Sequence, residues 1–101
     1  MRVLLSTAPA RYWQTTNFML TNFPPLGLAI CAAAISPPHH VRIVDNAKYR
    51  LRSHDLFAEV KDFGADVVAF TNNFYPDSVI IQATCRALKE AFPGIVTVVG
   101  G

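Results

Sequence analysis

The sequence predicts an α/β protein with a doubly wound parallel sheet. Short runs rich in Val, Ile and Leu alternate three times with segments of helical pattern, and the alternation ends on a fourth run. The runs show little polar alternation, which is typical of strands that are covered on both faces. Strand–helix–strand units of this kind form right-handed crossovers between parallel strands, so the alternation indicates the fold class.

The apolar runs predict four strands, at Arg2 to Ser6, Val41 to Asp45, Asp66 to Thr71 and Ile95 to Val99. The expected order is 2-1-3-4, a Rossmann-like sheet of flavodoxin-like topology that is truncated before a fifth strand. The fourth strand is uncharged, and we expect it to form an exposed edge. Such an edge invites pairing with a second copy, so a homodimer through the fourth strand is expected.

Three helices are expected between these strands. The first runs from Pro25 to Ile35, is apolar all round and is therefore predicted to be the most buried. The second begins after a cap at Ser53 and ends before Gly64, and the third runs from a cap at Asp77 to the Pro93-Gly94 stop. The side chains expected to face the core from the last two helices are Leu56, Phe57, Val60, Phe63, Ile80, Ile81, Thr84, Cys85, Leu88 and Phe92.

Composition limits the class of protein. A chain of 101 residues with 51% hydrophobic and 16% charged residues can fold around one core, so we expect a single domain over residues 1–101. The net charge of +2 is small, and the tightest basic group, Lys48, Arg50 and Arg52, is typical of a solvated rim, so no nucleic-acid partner is expected.

The longest apolar run is shorter than the about 18 residues of a membrane span, and no secretory signal is evident. We expect a cytoplasmic protein without a membrane partner.

The two cysteines, Cys31 and Cys85, occupy apolar positions of predicted helices. Two cysteines form neither a disulfide framework nor a metal-ligand cluster, and buried, reduced thiols are expected. The chain stops at Gly100-Gly101, where a doubly wound fold would continue with another loop, helix and strand. We therefore expect an N-terminal fragment of a longer enzyme.

Two loops at the carboxyl ends of the strands carry the chemistry. Open parallel sheets bind ligands at this edge, where neighbouring strands send their connections to opposite faces. The loop from about Thr7 to Pro24 is unusually long, and the loop after strand three reads TNNFYPDS. Together they hold six of the eleven aromatic residues, alongside many amides and hydroxyls and little charge. This composition favours a large, flat, nearly neutral ligand that carries amides, although the aromatics would also serve to cover the top of the sheet.

Five segments of the sequence together resemble a known family: VLLSTAP, FPPLGLAICAAAI, VRIVDNA, DVVAFTNNF and VTVVGG. In this order they resemble the N-terminal cobalamin-binding domain of cobalamin-dependent radical S-adenosylmethionine enzymes, the group of anaerobic cyclases and methyltransferases. The resemblance spans essentially the whole chain. Its most specific parts are PPLGL after a long first loop and a strand that ends in VVGG.

The resemblance implies a domain that holds cobalamin between its sheet and a separate catalytic barrel. In the family that barrel binds S-adenosylmethionine and an iron–sulfur (4Fe-4S) cluster through a CxxxCxxC motif, which this chain lacks. The chain alone is therefore not expected to catalyse a reaction, while its parent would be of the methyltransferase or cyclase type. The DxHxxG motif that supplies a cobalt-binding His in other cobalamin proteins is also missing, so cobalamin bound without a protein His is expected. His39, His40 and His54 are interpreted as surface or capping residues.

By the resemblance, the residues that follow strands one, three and four would line the cofactor. Leu26 and Gly27 are further candidates, although packing of the first helix on the sheet explains Gly27 equally well. Tyr12 and Trp13 would act as lids. The expected cofactor-binding residues are Ser6, Thr7, Thr71, Asn72, Asn73, Phe74, Tyr75, Gly100 and Gly101.

Two other classes of function stay open at this point. A nucleotide-binding Rossmann-like module is suggested by Asp45 at the end of strand two, although the first turn has no G-x-G-x-x-G. A receiver-like or oligomerising interaction domain shares the topology. Receiver chemistry, however, needs acids where this chain has Ser6 and Thr71.

Overall fold

The computed structural model describes residues 1–9, 26–46, 53–72 and 77–100. All its strands are parallel and lie in the order β2-β1-β3-β4, so the predicted fold class and strand order are confirmed. β1 has the predicted limits, and each of the other three strands begins and ends within one residue of its predicted limits. The elements in chain order are β1 (Arg2–Ser6), α1 (Leu26–Ala34), β2 (His40–Val44), α2 (Ser53–Phe63), β3 (Val67–Thr71), α3 (Asp77–Ala91) and β4 (Val96–Gly100).

The main core lies between the sheet and helices α2 and α3. Both helices present an apolar stripe at helical spacing, and this stripe is buried against alternate residues of the strands. The rings of Phe57 and Phe92 meet edge to face, with centroids 6.2 Å apart, and link α2 to the segment after α3. The buried cluster consists of Leu4, Val44, Leu56, Val60, Phe63, Val68, Phe70, Ile81, Leu88 and Ile95.

Helix α1 is not the most buried helix, and that prediction was wrong. It contacts β1 and β2 on the face opposite α2 and α3, and of its side chains only Leu28 is buried. Leu26 and Ile30 are 66% and 71% exposed. The other face of the sheet has two helices that support each other, whereas within the described residues no second helix lies beside α1. Its flanks therefore stay open despite their apolar character.

The expectation that the strands are covered on both faces holds only in the centre of the sheet. In β1, Leu4 and Leu5 point to opposite faces and both are buried. In β4, by contrast, Val96, Val98 and Val99 are each about half exposed. The strand stands at the edge of the described sheet, and the expected pairing of two copies through it stays a prediction.

A charged network supports the amino edge of the sheet. The Arg42 guanidinium lies 3.0 Å from Glu59 Oε2 and 3.2 Å from Asp62 Oδ2, and stacks 4.7 Å from the centre of the Phe63 ring. Hydrogen bonding to Asp62, followed by that to Glu59, raises the pKa of Arg42. Arg2 donates to the Phe63 carbonyl oxygen at 3.1 Å from the other side. These contacts tie the end of α2 to β1 and β2.

The described helices can be compared with the length and apolar character of a membrane-spanning helix. None of those within the described ranges combines the length and the apolar character that a bilayer crossing requires.

Candidate functional site

A topological switch point lies between the neighbouring strands β1 and β3. Leu4 belongs to the core under α2 and α3, while α1 contacts β1 from the opposite face. The connections that leave β1 and β3 therefore run over different faces. In open parallel sheets, the crevice at the carboxyl side of such a point is the usual ligand site.

Three of the predicted cofactor-binding residues share one row across this crevice. Thr71 pairs with Gly100 in the register of β3 and β4. Ser6 pairs with Phe70, and extending this register by one residue sets Thr7, which directly follows β1, level with Thr71. Because side chains alternate along strands, this row lies on the same face as α1. Thr7 and Thr71 are half-buried, and a Cβ built on Gly100 would have no neighbour within 4 Å among the described residues.

The first polar cluster at this edge joins the ends of β1 and β2. Asn46 Nδ2 donates to Ser6 Oγ at 2.7 Å and to the Thr7 carbonyl oxygen at 2.8 Å. The Asn46 backbone N–H donates to Thr7 Oγ1 at 2.8 Å, and the Thr7 backbone N–H donates to the Val44 carbonyl oxygen at 3.2 Å. Ser6 is completely buried, with its hydroxyl donating to the Thr7 carbonyl oxygen at 2.7 Å. The Ser6 side chain therefore stabilises the backbone of Thr7 and has no exposed surface at the crevice.

Asn46 is a residue that the sequence analysis missed. It is fully buried, and its Oδ1 has no hydrogen-bond partner among the described residues. A carbonyl oxygen can only accept, so the contact with Thr7 fixes which end of the amide is Nδ2. The available signal was the position of Asn46, two residues after the end of β2 in the segment VRIVDNA, where a polar side chain reaches the carboxyl edge.

The second polar cluster joins the end of β3 to β4 and α3. The Asn72 backbone N–H donates to the Gly100 carbonyl oxygen at 2.6 Å. The Asn72 side chain donates from Nδ2 to Ser78 Oγ at 3.0 Å, which fixes the strand end to the first turn of α3.

Other predicted site residues lie outside the described residues. These are Tyr12, Trp13, Asn73, Phe74, Tyr75 and Gly101.

Helix α1 begins at the same edge of the sheet. Leu26 is exposed there, and a Cβ built on Gly27 would have no neighbour within 4 Å in the part of the chain that the structure describes. Packing of α1 on the sheet therefore does not account for the glycine at position 27.

The described part of this edge is nearly free of positive charge. Arg2 and Arg42 make their contacts at the amino edge of the sheet, with Phe63 and Glu59. The basic group at Lys48, Arg50 and Arg52 lies outside the described residues. Asp45 and Asp77 are the acids at the ends of β2 and the start of α3. The described groups nearest the row are therefore hydroxyls and amides, which suit a neutral polar ligand better than a phosphate.

The histidines occupy the positions that the sequence predicts. His39 and His40 lie at the amino end of β2, where His39 Nδ1 is 2.9 Å from the N-terminal amine. His54 is exposed in the first turn of α2, with Nε2 3.4 Å from Asp55 Oδ1. Among the described residues, no three His, Cys, Asp or Glu side chains come together in a way that can hold a metal ion.

The two cysteine thiols differ in their exposure to solvent. Cys85 is half-buried, and desolvation raises its pKa, while a hydrogen bond from Thr97 acts in the opposite direction. Cys31 is exposed on α1. The expectation of two buried thiols was therefore wrong for Cys31, because the open flank of α1 leaves it in solvent.

In comparisons with known proteins, no family model, no curated protein and no solved structure matches this chain. The fold and the geometry of the carboxyl edge are therefore the basis for assigning a function.

Proposed function

We propose that this chain is a cobalamin-binding domain that presents its cofactor to a separate radical S-adenosylmethionine catalytic domain. The observation that carries the proposal is the neutral row of Thr7, Thr71 and Gly100 at the switch point of a 2-1-3-4 sheet. The hydroxyls supply hydrogen bonds, and the glycine leaves room for a bulky ligand to approach the backbone.

The described groups fit cobalamin chemically. A corrin is a broad, flat ring whose side chains carry amides, and these amides need both donors and acceptors. Thr7, Thr71 and Asn72 supply hydroxyls and an amide at the strand ends, and no cation of the described residues lies beside them to select for an anion. Bound cobalamin would supply methyl-transfer or radical chemistry at cobalt, and the part of this chain is to hold and orient it. The proposal includes no His ligand to the metal.

A nucleotide-binding module is the alternative function that the experiment must distinguish from a cobalamin-binding domain. Asp45 lies where a ribose-binding acid would stand, after β2. The residues after β1, however, are Thr7, Ala8 and Pro9, so the described start of the first turn offers no glycine cradle for phosphate.

The test is retention of the cofactor by the purified chain. The protein is mixed with hydroxocobalamin, separated from free cofactor by gel filtration and examined for corrin absorbance, with parallel samples in FMN and NAD. Retention of the corrin alone is expected. Loss of the corrin with retention of flavin or nicotinamide would refute the proposal in favour of the nucleotide-binding rival.

A matched pair of variants locates the site. Thr71→Val removes a hydroxyl from the row, whereas Thr84→Val removes a hydroxyl that bonds within α3 to the Ile80 carbonyl oxygen. We expect only Thr71→Val to weaken retention. Equal retention by both variants would place the cofactor elsewhere.

A further inference from the structure

The junction between the ends of β1 and β2 depends on one amide. The two donor hydrogens of Asn46 Nδ2 are directed at Ser6 Oγ and the Thr7 carbonyl oxygen, and the Asn46 backbone N–H is directed at Thr7 Oγ1. Two of these hydrogen bonds fix the backbone carbonyl and the side-chain hydroxyl of Thr7, and the third holds Ser6, whose hydroxyl also donates to the Thr7 carbonyl oxygen. Thr7, which directly follows β1, is the member of the row at the crevice that lies nearest to β2.

This arrangement carries a cost that a purely structural residue would avoid. Asn46 is fully buried, yet its Oδ1 finds no partner within the described part of the chain. A buried acceptor without a hydrogen bond lowers stability. An apolar side chain of similar size would remove this acceptor. It would also leave the Thr7 carbonyl oxygen with its hydrogen bond from Ser6 Oγ.

We propose that Asn46 is the positioning residue of the ligand site, and that it holds Thr7 in its binding geometry at the expense of stability. This inference rests on the proposed function, because the ligand whose contact it positions is the amide-bearing corrin. Asn46 itself acts through Thr7 and need not touch the ligand.

The deciding experiment compares stability and affinity in the same variant. For Asn46→Leu we expect a urea midpoint equal to or above that of the original chain. Its Kd for hydroxocobalamin, measured by equilibrium dialysis, should be at least about tenfold weaker, a change that corresponds to about 1.4 kcal/mol. Thr84→Val is the control, because it also alters a buried polar side chain but lies within α3, away from the crevice.

A second variant tests the role of the donor hydrogens without changing the shape. Asn46→Asp replaces the donor by a carboxylate oxygen that faces the Thr7 carbonyl oxygen. Burial favours the protonated acid, whose single O–H can again donate. We therefore expect the affinity of this variant, taken relative to the original chain at each pH, to recover as the pH falls.

The outcomes separate the two proposals. If the original chain does not retain the corrin, the proposed function fails, and the inference about Asn46 fails with it. If the original chain binds and Asn46→Leu binds equally well, the proposed function stands and Asn46 has no positioning role. Parallel losses of stability and affinity in Asn46→Leu, including failure to fold, would also overturn the inference, because Asn46 would then be an ordinary structural residue.

Discussion

The contact between Asn72 and Ser78 allows stability and ligand binding to be measured separately. Asn72 Nδ2 lies 3.0 Å from Ser78 Oγ, and the same Oγ lies 3.4 Å from Asn72 Oδ1. The hydroxyl accepts the shorter bond from Nδ2 and donates the longer one to Oδ1, so the two bonds are lost together and are treated as one contact. A hydrogen bond of this kind contributes about 1 kcal/mol to the free energy of unfolding. Asn72→Ala and Ser78→Ala remove the same bond from opposite ends.

Both single variants should therefore lower the free energy of unfolding by a similar amount, about 1 kcal/mol each. For a small domain with a urea slope of about 2 kcal/mol per molar, this is a shift of about 0.5 M in the midpoint. The double variant should cost little more than either single one, because the bond is lost only once.

Binding should distinguish the two variants. Asn72 lies at the end of β3 in the proposed site, so Asn72→Ala should weaken hydroxocobalamin binding by about tenfold if one ligand hydrogen bond is lost. Ser78→Ala should change affinity much less. Equal affinities for the two variants would refute the placement of the ligand against Asn72, and additive losses of stability would refute the counting of one shared bond.

Three further predictions address the rest of the described site. Gly100→Ala should leave the free energy of unfolding within about 0.5 kcal/mol of the original, since the new Cβ meets no atom of the described residues, but should weaken corrin binding. Unchanged binding would show that the ligand does not approach this strand end. Gly27→Ala should stabilise α1 by about 0.5–1 kcal/mol in urea unfolding, because no described atom lies near the new Cβ and alanine favours the helix. Destabilisation would indicate that another surface packs closely there. In alkylation followed by mass spectrometry, Cys31 should react first, and modification of Cys85 should accelerate only above the usual pH range of a thiol, because burial raises its pKa. Thr97→Val should move that onset to still higher pH, and similar rates for both thiols would contradict the burial of Cys85.

The sequence predicts the elements well where local pattern and packing agree. The stripe of Leu56, Val60 and Phe63 is apolar at helical spacing and meets a sheet face that a second helix also covers, so the prediction of its burial is confirmed. Helix α1 shows the limit of the same method. Its composition indicates a buried helix, but burial depends on neighbours that the local sequence does not specify, and Ile30 is exposed as a result.

The candidate site could be predicted in part. The alternation of strands and helices brings the ends of β1, β3 and β4 to one edge, and the positions of Thr7, Thr71 and Gly100 follow from counting along the strands. Asn46 could not be assigned in this way. Its importance comes from contacts with residues 39 and 40 positions away, and a single buried amide leaves no periodic pattern in the sequence.

The charged network at the amino edge has a consequence for experiments in salt. The Arg42 pairs with Glu59 and Asp62 are partly exposed, so added sodium chloride will screen them and reduce their small contribution to stability. The described groups at the carboxyl edge are mostly uncharged, and hydrogen bonds between neutral groups respond little to ionic strength. A salt titration should therefore act on the two ends of the sheet unequally, moving the unfolding midpoint while the occupancy of the ligand site stays nearly constant.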